Sequence, residues 1–299
     1  MKTKLLIEQH FHGAYGVDFN KASVADVLDL AQKIKKEGVG AIFPTLVTDT
    51  VENIKKQIAV IKEAALKQTE GAKILGIHLE GIFLNPEKKG IHNPIHFLEP
   101  TVENFGKISD DFIKIVTLAP ELCNKNLISF LNKKNVKVQA GHCIGGDLTG
   151  CDGVTHTFNA MSGITHRGKS TALSALINDN IYTEIIADGV HVSDDALKLL
   201  FKSKPEDKII LVSDSLPCAH SNIREFVFAD ETVYFDGNKA ESAHGTLAGS
   251  TSLLPDIVKI LGKKNLFNPK FIQNPYDYHK IDLDGNIEWD EDFNIVSIS

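Results

Sequence analysis

The chain has 299 residues, 42% of them hydrophobic, with 32 Lys and Arg against 39 Asp and Glu and a formal net charge of −7. An acidic chain with no clustering of basic and aromatic residues is a poor partner for nucleic acid or an anionic membrane. No apolar run approaches the roughly 18 residues of a membrane helix. The N-terminal apolar run is too short for a secretion signal and the four cysteines form no C-x-x-C pair, so a cytoplasmic protein with free thiols is expected.

Taken in order, strand-like runs alternate with helix-like stretches. Lys4–Glu8 leads to His10 and His12. Ser23, with Asp26 three residues on, opens a helix whose stripe is Val24, Val27, Leu28, Ala31 and Ile34 and which Gly38 stops. Val39–Phe43 is the second strand and Thr50–Lys67 the second helix. Ile74–His78 is the third strand, ending at Glu80, and Ile113–Leu118 is the fourth. A helix over Asn124–Lys134 precedes the fifth strand, Val136–Ala140, and the sixth, Gly153–Thr155. Ile181–Ala187 is the seventh, ending at Asp188 and His191. After a helix over Asp195–Lys202, Ile209–Ser213 is the eighth and ends at Asp214. Beyond it come a hairpin (Phe226–Ala229 with Thr232–Phe235), a last helix over Ser252–Leu261, and a short polar tail over 265–299. The tail carries a weak hairpin of Asn286–Trp289 with Asn294–Ser297. No repeat or linker interrupts the chain, so a single domain over 1–299 is expected.

Eight strands with intervening connections predict an α/β fold of the (β/α)₈ TIM-barrel type, with a doubly wound sheet as the alternative. Six of the eight strands end in His, Glu or Asp, which packing does not explain. In a barrel those ends form the catalytic face. The spacing of His10 and His12 turns both side chains to the same side of the first strand. Together with Glu80, His142, His156 and Asp214 they form a donor set that suits Zn²⁺ or Fe²⁺, one or two ions per chain. A cation there would make a water acidic, and Asp214 beside it could take the proton and pass it to a leaving amine. Read alone, His78 is a packed strand histidine, Cys143 a core thiol and Lys88-Lys89 a solvated pair.

The H-x-H of the first strand and the Asp of the eighth resemble the amidohydrolase superfamily. Within it, GIHLEG (76–81), KKGIHNP (88–94), VTLAPE (116–121), AGH (140–142), THTFNAM (155–161), IADGVHV (186–192), SDS (213–215) and GTLAGS (245–250) resemble the N-acetylglucosamine-6-phosphate deacetylases, in that family's order. The resemblance implies that Glu80, His142 and His156 are metal ligands, with His10 and His12 the pair some members use for a second ion. It implies Asp214 as general acid and base and His191 as the contact to the acetamide carbonyl. Asn159, Ala160 and Arg167 would hold the sugar phosphate, and Leu247, Ala248 and Gly249 would be a backbone contact segment. His92 would reach the phosphate from a neighbouring subunit, which implies a homodimer.

Three features depart from that pattern. The accessory β-sandwich made by the family's termini is expected to be absent or reduced to a hairpin. The connection from Cys143 to Gly153 is too short for the usual helix. Gly168-Lys169-Ser170 stands where the family has Glu-Pro-Gly. The expected activity is hydrolysis of N-acetylglucosamine 6-phosphate to the amine and acetate. The alternatives are an amidohydrolase for a different N-acyl sugar or a cyclic amide, and a catalytically silent binder of sugar phosphate.

Overall fold

The structure, a computed structural model, describes residues 1–299, the side chain of Lys125 excepted. Apolar runs form eight parallel strands: β1 (Leu6–Phe11), β2 (Val39–Val47), β3 (Ile77–Glu80), β4 (Ile113–Leu118), β5 (Lys137–Ala140), β6 (Gly153–Val154), β7 (Tyr182–Ile185) and β8 (Ile209–Leu211). Each pairs with its neighbour in sequence, giving the order of a TIM-type barrel. The third strand expected at Ile74–His78 is two pieces, because the chain breaks at Leu75-Gly76. Lys73–Ile74 pairs with the first half of β2, and β3 pairs with the second half.

The helices follow their apolar stripes. They are α1 (Val24–Lys36), α2 (Val51–Lys67), α3 (Val102–Gly106), α4 (Lys125–Lys133), α5 (Thr171–Ile177), α6 (Asp194–Ser203), α7 (Leu254–Lys263) and α8 (Lys270–His279). In α1, Ser23 and Asp26 form the expected capping box, each side chain accepting from the other's backbone N–H, and Val27, Leu30, Ala31 and Ile34 are buried. Residues 141–152 hold no helix, as their shortness predicts.

The barrel closes without a regular ladder between β1 and β8. Just past the strand ends, the Asp214 N–H donates to the His10 carbonyl at 2.9 Å, and the His12 N–H donates to the Ser215 carbonyl at 2.9 Å. Below them the buried Glu8 carboxyl group accepts from the N–H groups of His10 and Ser213, each at 3.1 Å. The seam therefore clamps the H-x-H segment against Asp214.

Two expectations for the C-terminal part are corrected. The Ser252–Leu261 stretch, realised as α7, is not the last helix, and 265–299 is not a polar tail. Helix α8 lies across the end of the barrel opposite the strand-end histidines. There Tyr276 donates to the Leu5 carbonyl at 2.8 Å and the Asn274 amide to the Ile209 carbonyl at 2.6 Å. Asn286–Trp289 does pair with Ile295–Ile298, but Lys2–Lys4 adds a third strand. The reduced accessory sheet is thus built from both ends of the chain. The hairpin after β8 grows into a four-stranded antiparallel sheet, Glu225–Phe228, Glu231–Phe235, Ala240–Ser242 and Leu247–Gly249. Among the described residues, no helix is long and apolar enough to cross a membrane.

Candidate metal and catalytic site

At the C-terminal rim of the barrel the strand-end residues converge on Glu80, which is 2% exposed. Its two carboxylate oxygens face different histidines. Oε1 lies 3.2 Å from His142 Nε2 and 2.9 Å from His156 Nε2. Oε2 lies 3.3 Å from His10 Nε2 and 3.0 Å from His12 Nε2. Across from it, Asp214 Oδ1 stands 3.4 Å from His10 Nε2 and 3.2 Å from His12 Nε2. Two ligand clusters result, His10/His12/Glu80/Asp214 and Glu80/His142/His156, with Glu80 common to both. Gly81 makes the approach possible: at φ +140° it lies so close to the β2 end that a Cβ would stand 2.1 Å from Thr48 Oγ1.

The electrostatics follow from burying several ionisable groups side by side. Burial alone would raise the Glu80 carboxyl, yet His10, His12 and His142 hold it well below the usual carboxylate range. Burial likewise opposes the charge on His10, but Glu80, Asp214 and Glu184 together hold its imidazole well above the ordinary value. His12 is carried up to about 9 as Asp214 and Glu80 outweigh its burial. Two ionised carboxylates at the centre of a buried imidazole ring attract positive charge.

These residues fit a divalent cation. His10 Nε2 is buried with no hydrogen-bond partner and faces two carboxylates. His142 Nε2 and His156 Nε2 face each other at 3.1 Å. His142 Nδ1 is held 2.8 Å from the Lys88 carbonyl, which assigns its proton to Nδ1 and leaves Nε2 free to ligate. Imidazole nitrogen with carboxylate oxygen is the donor set of borderline-soft divalent ions.

Above the cluster opens a cavity of about 560 Å³. His191 lines it, with Nδ1 2.8 Å from Asp188 Oδ2, and Asp188 is itself fixed by the N–H groups of Val190 and His191. Burial opposes charge on His191, but Asp188 raises it. Asn159, Ala160, Leu247, Ala248 and Gly249 also line the cavity, and so do Lys88 and Lys89, its only Lys or Arg residues among those described. Four non-glycine residues here, His142, His156, Ala160 and Asp214, have φ between 28° and 53°. Such backbone strain concentrates where a site must be held in shape.

No protein-family model matches the chain. It is 34% identical over 260 residues to the N-acetylglucosamine-6-phosphate deacetylase of Bacillus subtilis, covering 82% of this chain and 65% of that protein. It is 30% identical to the Haemophilus influenzae protein of the same name over 265 residues, 85% of this chain and 69% of the relative. To the N-acetylgalactosamine-6-phosphate deacetylase of Escherichia coli O157:H7 the identity is 33%, over 82% of this chain and 68% of that one. The fold superposes on the crystal structure of the N-acetylglucosamine-6-phosphate deacetylase from Pasteurella multocida with a TM-score of 0.91 at 28% identity, covering all of this chain and 84% of the other. The Thermotoga maritima structure of that name gives 0.90 at 25%, with 100% and 86% covered. The chain belongs to the N-acetylglucosamine-6-phosphate deacetylase family.

Against the resemblance to this deacetylase family, the six expected metal ligands come together, and His191, Asn159, Ala160 and 247–249 share one cavity. Two phosphate-binding expectations fare differently. His92 does not reach outward. It is 2% exposed, its Nδ1 lies 2.8 Å from Thr48 Oγ1, and its Nε2 lies 3.6 Å from Glu80 Oε2. The loop after β3 folds back over its own barrel and brings His92 beside Glu80 of the same chain. Arg167 sits exposed on the loop before α5 and is not among the cavity-lining residues. His78 is the packed histidine expected, with Nδ1 3.0 Å from the Gln9 carbonyl and Nε2 2.8 Å from Thr117 Oγ1. Cys143 is a buried thiol beside Thr171.

Sequence reading missed Glu184, 3.0 Å from His10 Nδ1, and the Lys88-Lys89 pair, which is half-buried and lines the cavity. An acidic residue inside the strand-like run Ile181–Ala187 was the available signal for Glu184, since a buried carboxylate requires a partner.

Proposed function

We propose that this protein hydrolyses the acetamide of a 6-phosphorylated N-acetyl amino sugar, releasing acetate and the free amine, with N-acetylglucosamine 6-phosphate as its substrate. The observation that carries the reading is Glu80 held between two histidine pairs, facing Asp214 on the floor of a cavity that His191 also lines. The family membership supports it. The E. coli relative, named for the galactosamine epimer at 33% identity, supports that epimer as the second candidate.

A divalent cation held by His10, His12, Glu80, His142, His156 and Asp214 would supply Lewis acidity and make a water nucleophilic at neutral pH. The residues do the rest. Burial would raise the Asp214 carboxyl, but His10 and His12 lower it, so it is ionised at neutral pH and able to accept the proton of the attacking water. The same carboxyl group then returns the proton to the departing amine nitrogen. His191, oriented by Asp188, offers its remaining ring N–H to the acetamide oxygen as charge develops there. Lys88 and Lys89 would take the phosphate, since a dianion needs cations and the other lining groups are neutral, acidic or imidazole. Arg167 would join them only from a rearranged loop or another chain. Retention of Asp214 argues against a silent sugar-phosphate binder, because binding alone has no use for a proton carrier.

The test is acetate release over a panel of N-acetylglucosamine, N-acetylgalactosamine and larger N-acyl analogues, each with and without the 6-phosphate. Turnover confined to 6-phosphorylated N-acetyl sugars is expected. Equal turnover of unphosphorylated sugars, or none on any member, would overturn the reading.

A further inference from the structure

The carboxylate of Glu184 is 1% exposed, lies on β7 and points into the barrel beneath the ligand cluster. It is held from three sides. His10 Nδ1 lies 3.0 Å from Oε2, the Gln9 amide donates to Oε1 at 2.6 Å, and the His156 backbone N–H donates to Oε2 at 3.3 Å. Gln9 is fixed in turn, since its side-chain oxygen lies 2.8 Å from Nε2 of His279, at the end of α8. The His279 ring stacks on Phe43 at 4.3 Å. A buried polar chain thus runs from the helix closing the bottom of the barrel up to His10.

His10, His78 and Glu184 also lie close enough to make a third ligand group. That use is excluded by His78, whose two ring nitrogens are both engaged, one by the Gln9 carbonyl and the other by Thr117. The remaining role for Glu184 is directional. An anionic acceptor at Nδ1 keeps a proton there, so the unpartnered Nε2, directed toward Glu80 and Asp214, is the nitrogen left to ligate a cation.

We propose that Glu184 is a positioning residue for the metal centre, which fixes the tautomer and ring orientation of His10 and is itself held by Gln9 and His279. The proposal rests on the reading of the rim cluster as a metal site. Loss of a carboxylate behind a ligating histidine typically costs about 10–100-fold in metal affinity.

The experiment is chelator-competition titration of the full-length protein with Zn²⁺, and with Co²⁺ for its absorption spectrum, on wild type, Glu184→Gln, His10→Ala and the double variant. Thermal unfolding of each reports the fold. Expected is a folded Glu184→Gln protein that binds one ion about 10–100-fold more weakly with an altered Co²⁺ spectrum. In the His10→Ala background the same change should have no further effect, because the coupling runs through that imidazole. Should Glu184→Gln fold poorly, Glu184→Asp, which keeps the charge but draws it back from His10, is expected to show the same coupled loss. Wild-type affinity and spectrum in the folded variant, or losses that add independently of His10, would overturn the proposal. Failure of wild type to bind either ion would instead overturn the reading of the site.

Discussion

Asp214 Oδ1 lies 3.2 Å from His12 Nε2, and the two residues come from segments that close the barrel across the seam between β1 and β8. The acid is therefore placed by backbone hydrogen bonds rather than by a flexible loop. Asp214→Asn keeps the shape and removes the proton acceptor. Its kcat should fall by about 10²–10⁴-fold, with bound metal near the wild-type content by elemental analysis. Near-normal turnover in this variant would assign the proton transfer to another group.

Glu80 is shared by two ligand clusters, each of which could hold an ion. Metal-replete wild type should carry more than one ion per chain, falling toward one in the His10→Gln, His12→Asn double variant. A wild-type content of one or fewer would limit the site to a single ion.

Lys88 and Lys89 line the cavity and Arg167 does not, so on the proposed reading the pair takes the phosphate. A charge-assisted bond to phosphate contributes about 1.5–3 kcal/mol, or roughly 10–150-fold. The Lys88→Ala, Lys89→Ala variant should lose at least that factor in kcat/KM on the phosphorylated sugar and much less on the unphosphorylated one. Arg167→Ala should lose less. A larger, phosphate-selective loss for Arg167→Ala would bring that loop, or a second chain, into the site.

Glu8 gives the seam a pH dependence. Burial lifts its carboxyl to about 8 from 4.5, against smaller opposing effects of Ser213 and His10. Between those values the folded protein keeps a proton that the unfolded chain has lost. The contribution to stability is thus whole below pH about 4.5 and fades as pH rises toward 8. Glu8→Gln removes this titration, so its urea midpoint should fall less between pH 5 and 8 than that of wild type. Equal falls would contradict the assignment.

The barrel was legible because its signals are local. The β4 boundaries are those read from Ile113–Leu118, and the metal ligands stand out as polar residues ending apolar runs. Helix α8 was not legible. Pro275 sits inside it and Asn274 is buried in it, so no clean apolar stripe marks a segment whose burial comes from plugging the barrel. The place of His92 beside Glu80 was hidden for a related reason. The Gly and Pro of its segment mark an excursion, but the return path depends on contacts such as the Leu98 N–H to the Ile82 carbonyl, which no local pattern encodes. Glu184 and Gln9 were hidden because their importance lies in which partner stands across the barrel.

The most direct measurement is acetate release from N-acetylglucosamine 6-phosphate by protein stripped of metal with a chelator and then titrated with Zn²⁺ or Fe²⁺. Stripped protein should be inactive, and activity should return in step with the ions bound per chain. Acetate release at the same rate with and without bound metal, or none from fully loaded, folded protein on either epimer, would contradict a metal-dependent sugar-phosphate deacetylase.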